Sequence, residues 1–181
     1  MVKVTFQTDE TDYQQFDLFY ASKSPVLLQS RRKIWLRTMI LFAIFSGVFF
    51  VLKERFFGFF FAVFFLVILF FYPAYISWRF KERIKRSVKK KYGHNFVNEL
   101  IVTFNDDNIE VSGSNAISTL NFPEAEQVDE TGEYFFIRFK SGSLFIPKTK
   151  IVNIDEVRNA LKGMTTKINI GYITELDWKW K

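Results

Sequence analysis

Apolar and polar positions change period along this chain, and each change marks an element. Val2, Val4 and Phe6 alternate with Lys3, Thr5 and Gln7, the period-two pattern of a strand. Thr8 or Thr11 then offers an N-cap to a helix with Asp9, Glu10 and Asp12 in or near its first turn. Tyr13, Phe16, Leu18, Phe19 and Tyr20 give that helix an aromatic side, and Pro25 bends or restarts it. From Ile34 the periodicity disappears into nearly continuous apolar sequence. Phe56 to Trp78 runs 23 residues without a charge, ~35 Å of helix at ~1.5 Å per residue, enough to cross a ~30 Å hydrocarbon core. Thr38 to Leu52 is charge-free over 15 residues, a length shared by buried core helices and signal-peptide cores. Extended back through Arg37, Leu36, Trp35 and Ile34 it becomes 19 residues. Arg37 then lies about one turn inside the edge, where it can snorkel to the headgroups. The stretch starts some 30 residues into the chain without a small-residue cleavage site, so the reading is a two-span helical hairpin (34–52 and 56–78).

Past the hairpin, Ile76, Phe80, Ile84 and Val88 recur every four residues, so the second helix continues with one apolar stripe and ends at Gly93. Then the period returns to two. Leu100–Phe104 is a strand, Asn105-Asp106-Asp107-Asn108 a turn, Ile109–Val111 the return strand and Ala116–Phe122 a third. Pro123–Glu130 reads as a connection with a helical turn, Tyr134–Lys140 as a strong strand, and Ser141-Gly142 as a tight turn into Ser143–Ile146. Asn153 with Glu156 opens a helix carrying Ile154, Val157, Leu161 and Met164 on one face, and Lys167–Ile173 fits a last strand. The fold class is an α+β membrane protein: a hairpin with an antiparallel β-rich module and one C-terminal helix. The expected organisation is an N-terminal strand and amphipathic helix (1–33), the hairpin (34–79), a basic juxtamembrane helix (80–93) and the module (94–181).

Charge sets orientation. The flank before the first span carries Lys23, Arg31, Arg32, Lys33 and Arg37; the flank after the second carries eight basic residues between Arg79 and Lys91; the connection Lys53-Glu54-Arg55 has two. The positive-inside bias therefore places both termini in the cytoplasm, with Trp35, Tyr72, Tyr75 and Trp78 near that interface. The net charge of +6 is juxtamembrane: residues 79–91 carry net +7, and residues 92–181 net −4. The side chains expected against anionic lipid headgroups are Arg31, Arg32, Lys33, Trp35, Arg37, Trp78, Arg79, Lys81, Arg83, Lys85 and Arg86. The basic run has three readings: nucleic-acid binding, disfavoured beside a bilayer and an acidic module; lipid recruitment; and topology with orientation against headgroups, which is favoured because a hairpin already anchors the chain.

The residues from Leu100-Ile101-Val102-Thr103-Phe104-Asn105-Asp106-Asp107-Asn108-Ile109 through Glu133-Tyr134-Phe135-Phe136-Ile137 to Phe145-Ile146-Pro147-Lys148 resemble the YcxB-like family of bacterial membrane proteins. One departure is Asn121-Phe122-Pro123, where the family pattern expects a tryptophan. The resemblance implies a cytoplasmic module somewhat like a bacterial pleckstrin-homology barrel, and no known activity. Where such domains carry basic residues in the first hairpin loop, this chain has the acidic Asn105–Asn108, which argues against phosphate capture there. Edge strands of such a sheet can instead accept a partner.

No chemistry-bearing constellation assembles. His94 is the one histidine and there is no cysteine, so metal, thiol and nucleophile–base sets lack partners. Asp106 and Asp107 lack the glycine and distal glutamate of a calcium loop and read as turn residues. Neither Ser112-Gly113-Ser114 nor Ser141-Gly142-Ser143 is a nucleophile elbow, and no phosphate loop is present. The spans hold no Asp, Glu, Lys or His of the kind a proton relay needs. No cofactor is expected. Of 24 phenylalanines, nine lie in Phe56–Phe71; they read first as generic apolar filling, with Phe59, Phe60 and Phe64 as the candidate partner contacts. The tail Asp177-Trp178-Lys179-Trp180-Lys181 is either an interface anchor or packs back on the module.

The functional expectation is a non-enzymatic bacterial inner-membrane protein presenting a cytoplasmic module to a protein partner, as scaffold or regulator. An immunity protein that blocks a membrane-active toxin is the alternative, and an enzyme at the bilayer surface is the disfavoured third. The partners expected are anionic lipids and one unidentified protein, with no nucleic acid. A homo-oligomer is open, although Gly47 and Gly58 form no GxxxG pair.

Overall fold

The computed structural model describes residues 2–92, 99–113 and 117–180. Gly93, His94, Ser114, Ala116 and Lys181 lie outside the described residues. The element order is β1 (Val2–Gln7), α1 (Glu10–Lys23), α2 (Pro25–Val51), α3 (Arg55–Tyr92), β2 (Glu99–Phe104), β3 (Asn108–Ser112), β4 (Ile117–Asn121), β5 (Ala125–Thr131), β6 (Tyr134–Phe139), β7 (Gly142–Pro147), α4 (Ile154–Ile168) and β8 (Gly171–Glu175). The class is α+β. The chain divides into two compact units, residues 1–16 with 88–179, and residues 17–87 with 180–181.

The first unit is β-rich. Two four-stranded sheets form, in the orders β1-β2-β3-β4 and β7-β6-β5-β8. The opening strand pairs antiparallel with β2, Val4 opposite Val102 and Phe6 opposite Leu100. β8 lies parallel to β5, and the other pairings are antiparallel. Inward residues of both sheets and α4 make one core: Val4 and Phe6, Val102 and Phe104, Ile109, Val128, Phe135, Ile137 and Phe139, Ile146, and Val157, Leu161 and Met164. The strand Tyr-Phe-Phe-Ile-Arg-Phe is nearly all apolar because both faces of β6 are covered. Phe135 and Ile137 enter the core, while Phe136 and Tyr134 lie on the other face, where Phe16 of α1 approaches Phe136 at 6.5 Å and Phe145 at 5.0 Å.

Four local expectations change. Asp9, and neither Thr8 nor Thr11, caps α1: the Asp12 N–H donates to Asp9 Oδ1 (3.0 Å) and the Asp9 N–H to Asp12 Oδ2 (2.8 Å), a reciprocal capping box. Pro123–Glu130 is not a connection. A 3-10 turn spans Phe122–Glu124 and β5 then runs inside the second sheet. Its register jumps between Ala125 and Gln127, and its buried positions include Asp129, Glu130 and Thr131, so no apolar alternation survives to announce a strand. α4 continues to Ile168 and ends on Asn169 in the left-handed region (φ 55°), which delays the last strand to Gly171. Asn153 bonds Glu156 side chain to side chain (3.0 Å) and makes no side-chain bond to the backbone.

The second unit is the helical hairpin. Pro25 restarts the chain as α2, with Ser24 extended before it, as expected. Two helices are long and apolar enough to cross a membrane; of their most apolar stretches, 0% in α2 and 6% in α3 is buried. Both extend beyond the charge-free stretches, and α3 continues unbroken for 38 residues through the basic run, with Pro73 inside it.

The turn between them is a Schellman motif. The Lys53 N–H donates to the Phe50 carbonyl (3.1 Å) and the Glu54 N–H to the Phe49 carbonyl (3.0 Å), with Lys53 at φ 63°. Ser46 Oγ donates to the Gly58 carbonyl at 3.0 Å, and aromatic rings interlock the two helices: Phe49 and Phe61 stack at 5.4 Å and 4°, and Phe42 and Phe64 at 6.1 Å and 15°.

Candidate functional site

The basic residues singled out by charge divide into those brought together and those dispersed. Arg31, Arg32 and Trp35 converge with Tyr72, Pro73 and Ile76 on a groove of about 250 Å³ between α2 and α3. The residues three and four apart on α2 share one face, which places Arg31, Arg32 and Trp35 over the facing turn of α3. Pro73 lacks the N–H that would bond the Leu69 carbonyl, and its ring stands in the groove wall. Trp35 Nε1 is buried and has no hydrogen-bond partner.

Trp180 also belongs to this unit. Its ring stacks on Phe80 (5.2 Å, 15°), its Nε1–H donates to the Ser77 carbonyl (3.3 Å), and the Arg31 guanidinium lies 5.3 Å over it. The tail tryptophan thus packs on α2 and α3 in place of the β-rich module. A stacked guanidinium keeps its N–H edges available to an oxyanion, so Arg31 is held without being consumed.

The remaining candidates lie outside this groove. Lys33 and Arg37 are exposed on α2, and Trp78, Lys81, Arg83, Lys85 and Arg86 are exposed on α3. Arg79 Nη1 donates to the Tyr75 hydroxyl at 3.1 Å. Phe59, Phe60 and Phe64 present surface, yet Phe59 also packs edge-on to Phe50 and Phe64 touches both Phe60 (4.7 Å) and Phe42. Gly58 closes on its own hairpin: a Cβ there would meet the Phe50 ring at 3.0 Å, whereas Gly47 faces open space. The pattern reading places Tyr72 near the interface, Ile76 in the apolar stripe and Trp180 in an anchoring or back-packing tail, but does not bring them or Pro73 together with Arg31 and Trp35. The signals for them were a proline inside an apolar helix and a Trp-Lys-Trp tail.

The β-rich unit contains two charge clusters, one buried around Glu130 and one partly exposed around Lys150. Glu130 on β5 accepts from Lys148 Nζ (2.6 Å), Arg158 Nε (2.9 Å) and the Tyr172 hydroxyl (2.5 Å), while Lys148 also donates to the Thr131 carbonyl (2.6 Å) and lies 4.6 Å over the Phe135 ring. Burial pushes the Glu130 carboxyl up, but the hydrogen bonds from Lys148, Tyr172 and Arg158 together outweigh it and hold it below the usual value. Burial and the Glu130 carboxylate both push the Tyr172 hydroxyl up. Arg158 also pairs with Asp155. In the second cluster, Lys150 Nζ bridges Asp9 (2.5 Å) and Asp12 (2.6 Å), and the Tyr134 hydroxyl donates to Asp12 (3.0 Å). Every cation there faces its anion at bonding distance, which is the arrangement of structural pairing.

The Asn105–Asn108 turn forms as expected, closed by the Asn105 N–H to the Asn108 carbonyl (3.0 Å). Lys167 from α4 caps it, donating to the Asp106 carbonyl (2.9 Å) and Asp107 (2.8 Å). Among the described residues no group of three or more His, Cys, Asp or Glu side chains is placed to hold a metal ion.

No curated protein and no solved structure matches the chain. The family model described as YcxB-like protein matches residues 104–161, so the segment from the end of β2 through the first half of α4 is similar to that family.

Proposed function

We propose that this chain is a non-enzymatic bacterial inner-membrane protein. α2 and α3 cross the bilayer as a hairpin, both termini lie in the cytoplasm, and the pleckstrin-homology-like β-rich unit is presented there to a protein partner. The observation that carries this reading is the contrast in burial: the β-rich unit has a complete core of its own, while the apolar stretches of α2 and α3 have 0% and 6% burial. Apolar surface on that scale needs a non-aqueous environment. The five and eight basic residues flanking the spans, against two in the turn, support cytoplasmic ends. The edge position of β4, with Ile117 70% exposed, supports strand addition as the mode of partner binding.

The absence of cysteine makes a direct test available. In intact cells, Lys53→Cys is expected to react with a membrane-impermeant maleimide. Val152→Cys, exposed before α4, is expected to react only after permeabilisation. Reaction of both in intact cells, or protection of both, overturns the topology. Turnover of a lipid or nucleotide by the purified full-length chain overturns the non-enzymatic part.

A further inference from the structure

We infer that the groove at the basic end of the hairpin holds the phosphate of one anionic phospholipid, as a discrete site of one lipid per chain. The inference rests on the membrane reading above and goes beyond it, since a general attraction of basic flanks to headgroups needs no pocket. Three observations converge. Arg31 and Arg32 bring two guanidinium groups to a groove whose six lining residues include no acidic side chain. Arg31 is braced against the Trp180 ring, so part of the entropy of ordering it is already spent. Trp35, in the groove wall, has a buried Nε1–H without an acceptor. A buried orphan donor costs about 1–3 kcal/mol unless something accepts from it, and a phosphate oxygen is a strong acceptor.

The rest of the wall decides between a lipid and a free phosphate. Tyr72, Pro73 and Ile76 offer apolar surface that inorganic phosphate cannot use. At about 250 Å³ the groove suits a headgroup and not a whole lipid. The acyl chains would continue along exposed apolar side chains of α2 such as Leu36 and Ile40. Arginine forks match phosphate oxygens bidentately, which a single lysine cannot do.

The test is native mass spectrometry of the full-length chain released from nanodiscs of phosphatidylglycerol or of phosphatidylcholine. One phosphatidylglycerol is expected to remain per chain, with no retained phosphatidylcholine. The double change Arg31→Gln with Arg32→Gln is expected to lower retention roughly tenfold or more, and Trp35→Phe several-fold. Arg31→Lys with Arg32→Lys, which keeps the charge and guards against misfolding, is expected to fall between. Lys85→Gln with Arg86→Gln, which removes the same charge outside the groove, is expected to lower retention far less than the arginine pair.

Equal retention of the uncharged lipid overturns the site. So does loss on Lys85→Gln with Arg86→Gln as large as on the arginine pair, or binding of inorganic phosphate by the detergent-purified chain in place of the lipid. A chain that stays in solution without detergent defeats the membrane reading itself. A chain that needs detergent but retains no lipid defeats only this inference.

Discussion

In the β-rich unit charges are inside and paired; in the hairpin unit large apolar side chains are outside. Glu130, Asp12 and Lys148 are all under 10% exposed, whereas Phe56, Phe70 and Phe71 on α3 are each about 70% exposed. Each arrangement is costly in the other's surroundings. A buried ion tolerates its loss of water only when its partners are within bonding distance, and an exposed phenylalanine is at ease only where the solvent is hydrocarbon. On the membrane reading proposed above the two units suit different solvents, and the sharpest experiments change one unit while leaving the other as it is.

The largest effect is expected from Glu130→Gln. It leaves Lys148 charged in a site where its remaining partners are the Thr131 carbonyl and the Phe135 ring. Breaking one member of a buried pair costs about 3–5 kcal/mol. Urea unfolding of the full-length chain in detergent, followed by near-UV circular dichroism, is expected to show that loss, with helix content of the hairpin unaffected. Replacing both partners, Glu130→Met with Lys148→Met, is expected to recover most of it. A loss under ~1 kcal/mol for the single change would mean that water reaches the pair.

The same cluster sets an acid limit. The folded Glu130 carboxyl lies below its ordinary 4.5, so the unfolded chain takes up the proton first. Its contribution is complete above about pH 4.5 and is lost as the pH falls through the folded value. Asp9, lowered from 3.8, where the Lys150 bond and the Asp12 N–H outweigh burial, adds in the same direction. Lys150 has the opposite sign. Burial lowers it, but its bonds to Asp12 and Asp9 raise it above 10.5, so its contribution is complete below that pH and is lost as the pH rises further. A stability-against-pH curve should therefore hold a plateau between these limits, and Glu130→Gln should flatten its acid side.

What could be read from the pattern follows the same division. The hairpin, β2, β3, β6, β7 and α4 have apolar periods set by one buried face or by continuous apolar surface, and these periods are local. β5 was invisible because Asp129, Glu130 and Thr131 fill positions where a pattern reader expects valine or isoleucine; they are stable there only through Lys148, 18 residues away from Glu130, and other distant groups. The capping role of Asp9 was hidden between the two threonine candidates, Thr8 and Thr11, and depends on the rotamer that meets Asp12. In the hairpin, charge counting finds Arg31 and Arg32 in a basic flank, and Trp35 reads as an interfacial aromatic. Their meeting with Tyr72, Pro73 and Ile76 is fixed by the register of the turn, which begins with the Ser46–Gly58 contact and has no signature in either helix alone.

Gly58 tests that register. A leucine there must displace the Phe50 ring, which lies 3.0 Å from the position of the new Cβ. Overpacking of this kind costs about 1–3 kcal/mol. In the cysteine-free chain, Phe45→Cys with Phe61→Cys replaces two rings 5.4 Å apart and reports the approach of the helices as a rate of disulfide formation. Adding Gly58→Leu is expected to slow that rate several-fold. Gly47→Leu, which enters open space, is expected to leave it unchanged, and equal slowing by both would show that the helices do not pack in this register.

The smallest effect expected is a gain. Lys53 occupies the C′ position of the Schellman turn at φ 63°, where a side chain crowds its own carbonyl and glycine does not. Non-glycine residues in that region are disfavoured by roughly 1–2 kcal/mol, offset in part because glycine loses more conformational freedom on ordering. Lys53→Gly is therefore expected to stabilise the hairpin by ~0.5–1 kcal/mol and Lys53→Asn by less, while Lys53→Ala, which keeps the Cβ, gains nothing. The disulfide rate between positions 45 and 61 is again the readout, and the β-rich unit should unfold at an unchanged urea midpoint. The order glycine, asparagine, alanine is the informative result: removal of the lysine charge alone would treat all three alike, whereas relief of left-handed strain ranks them.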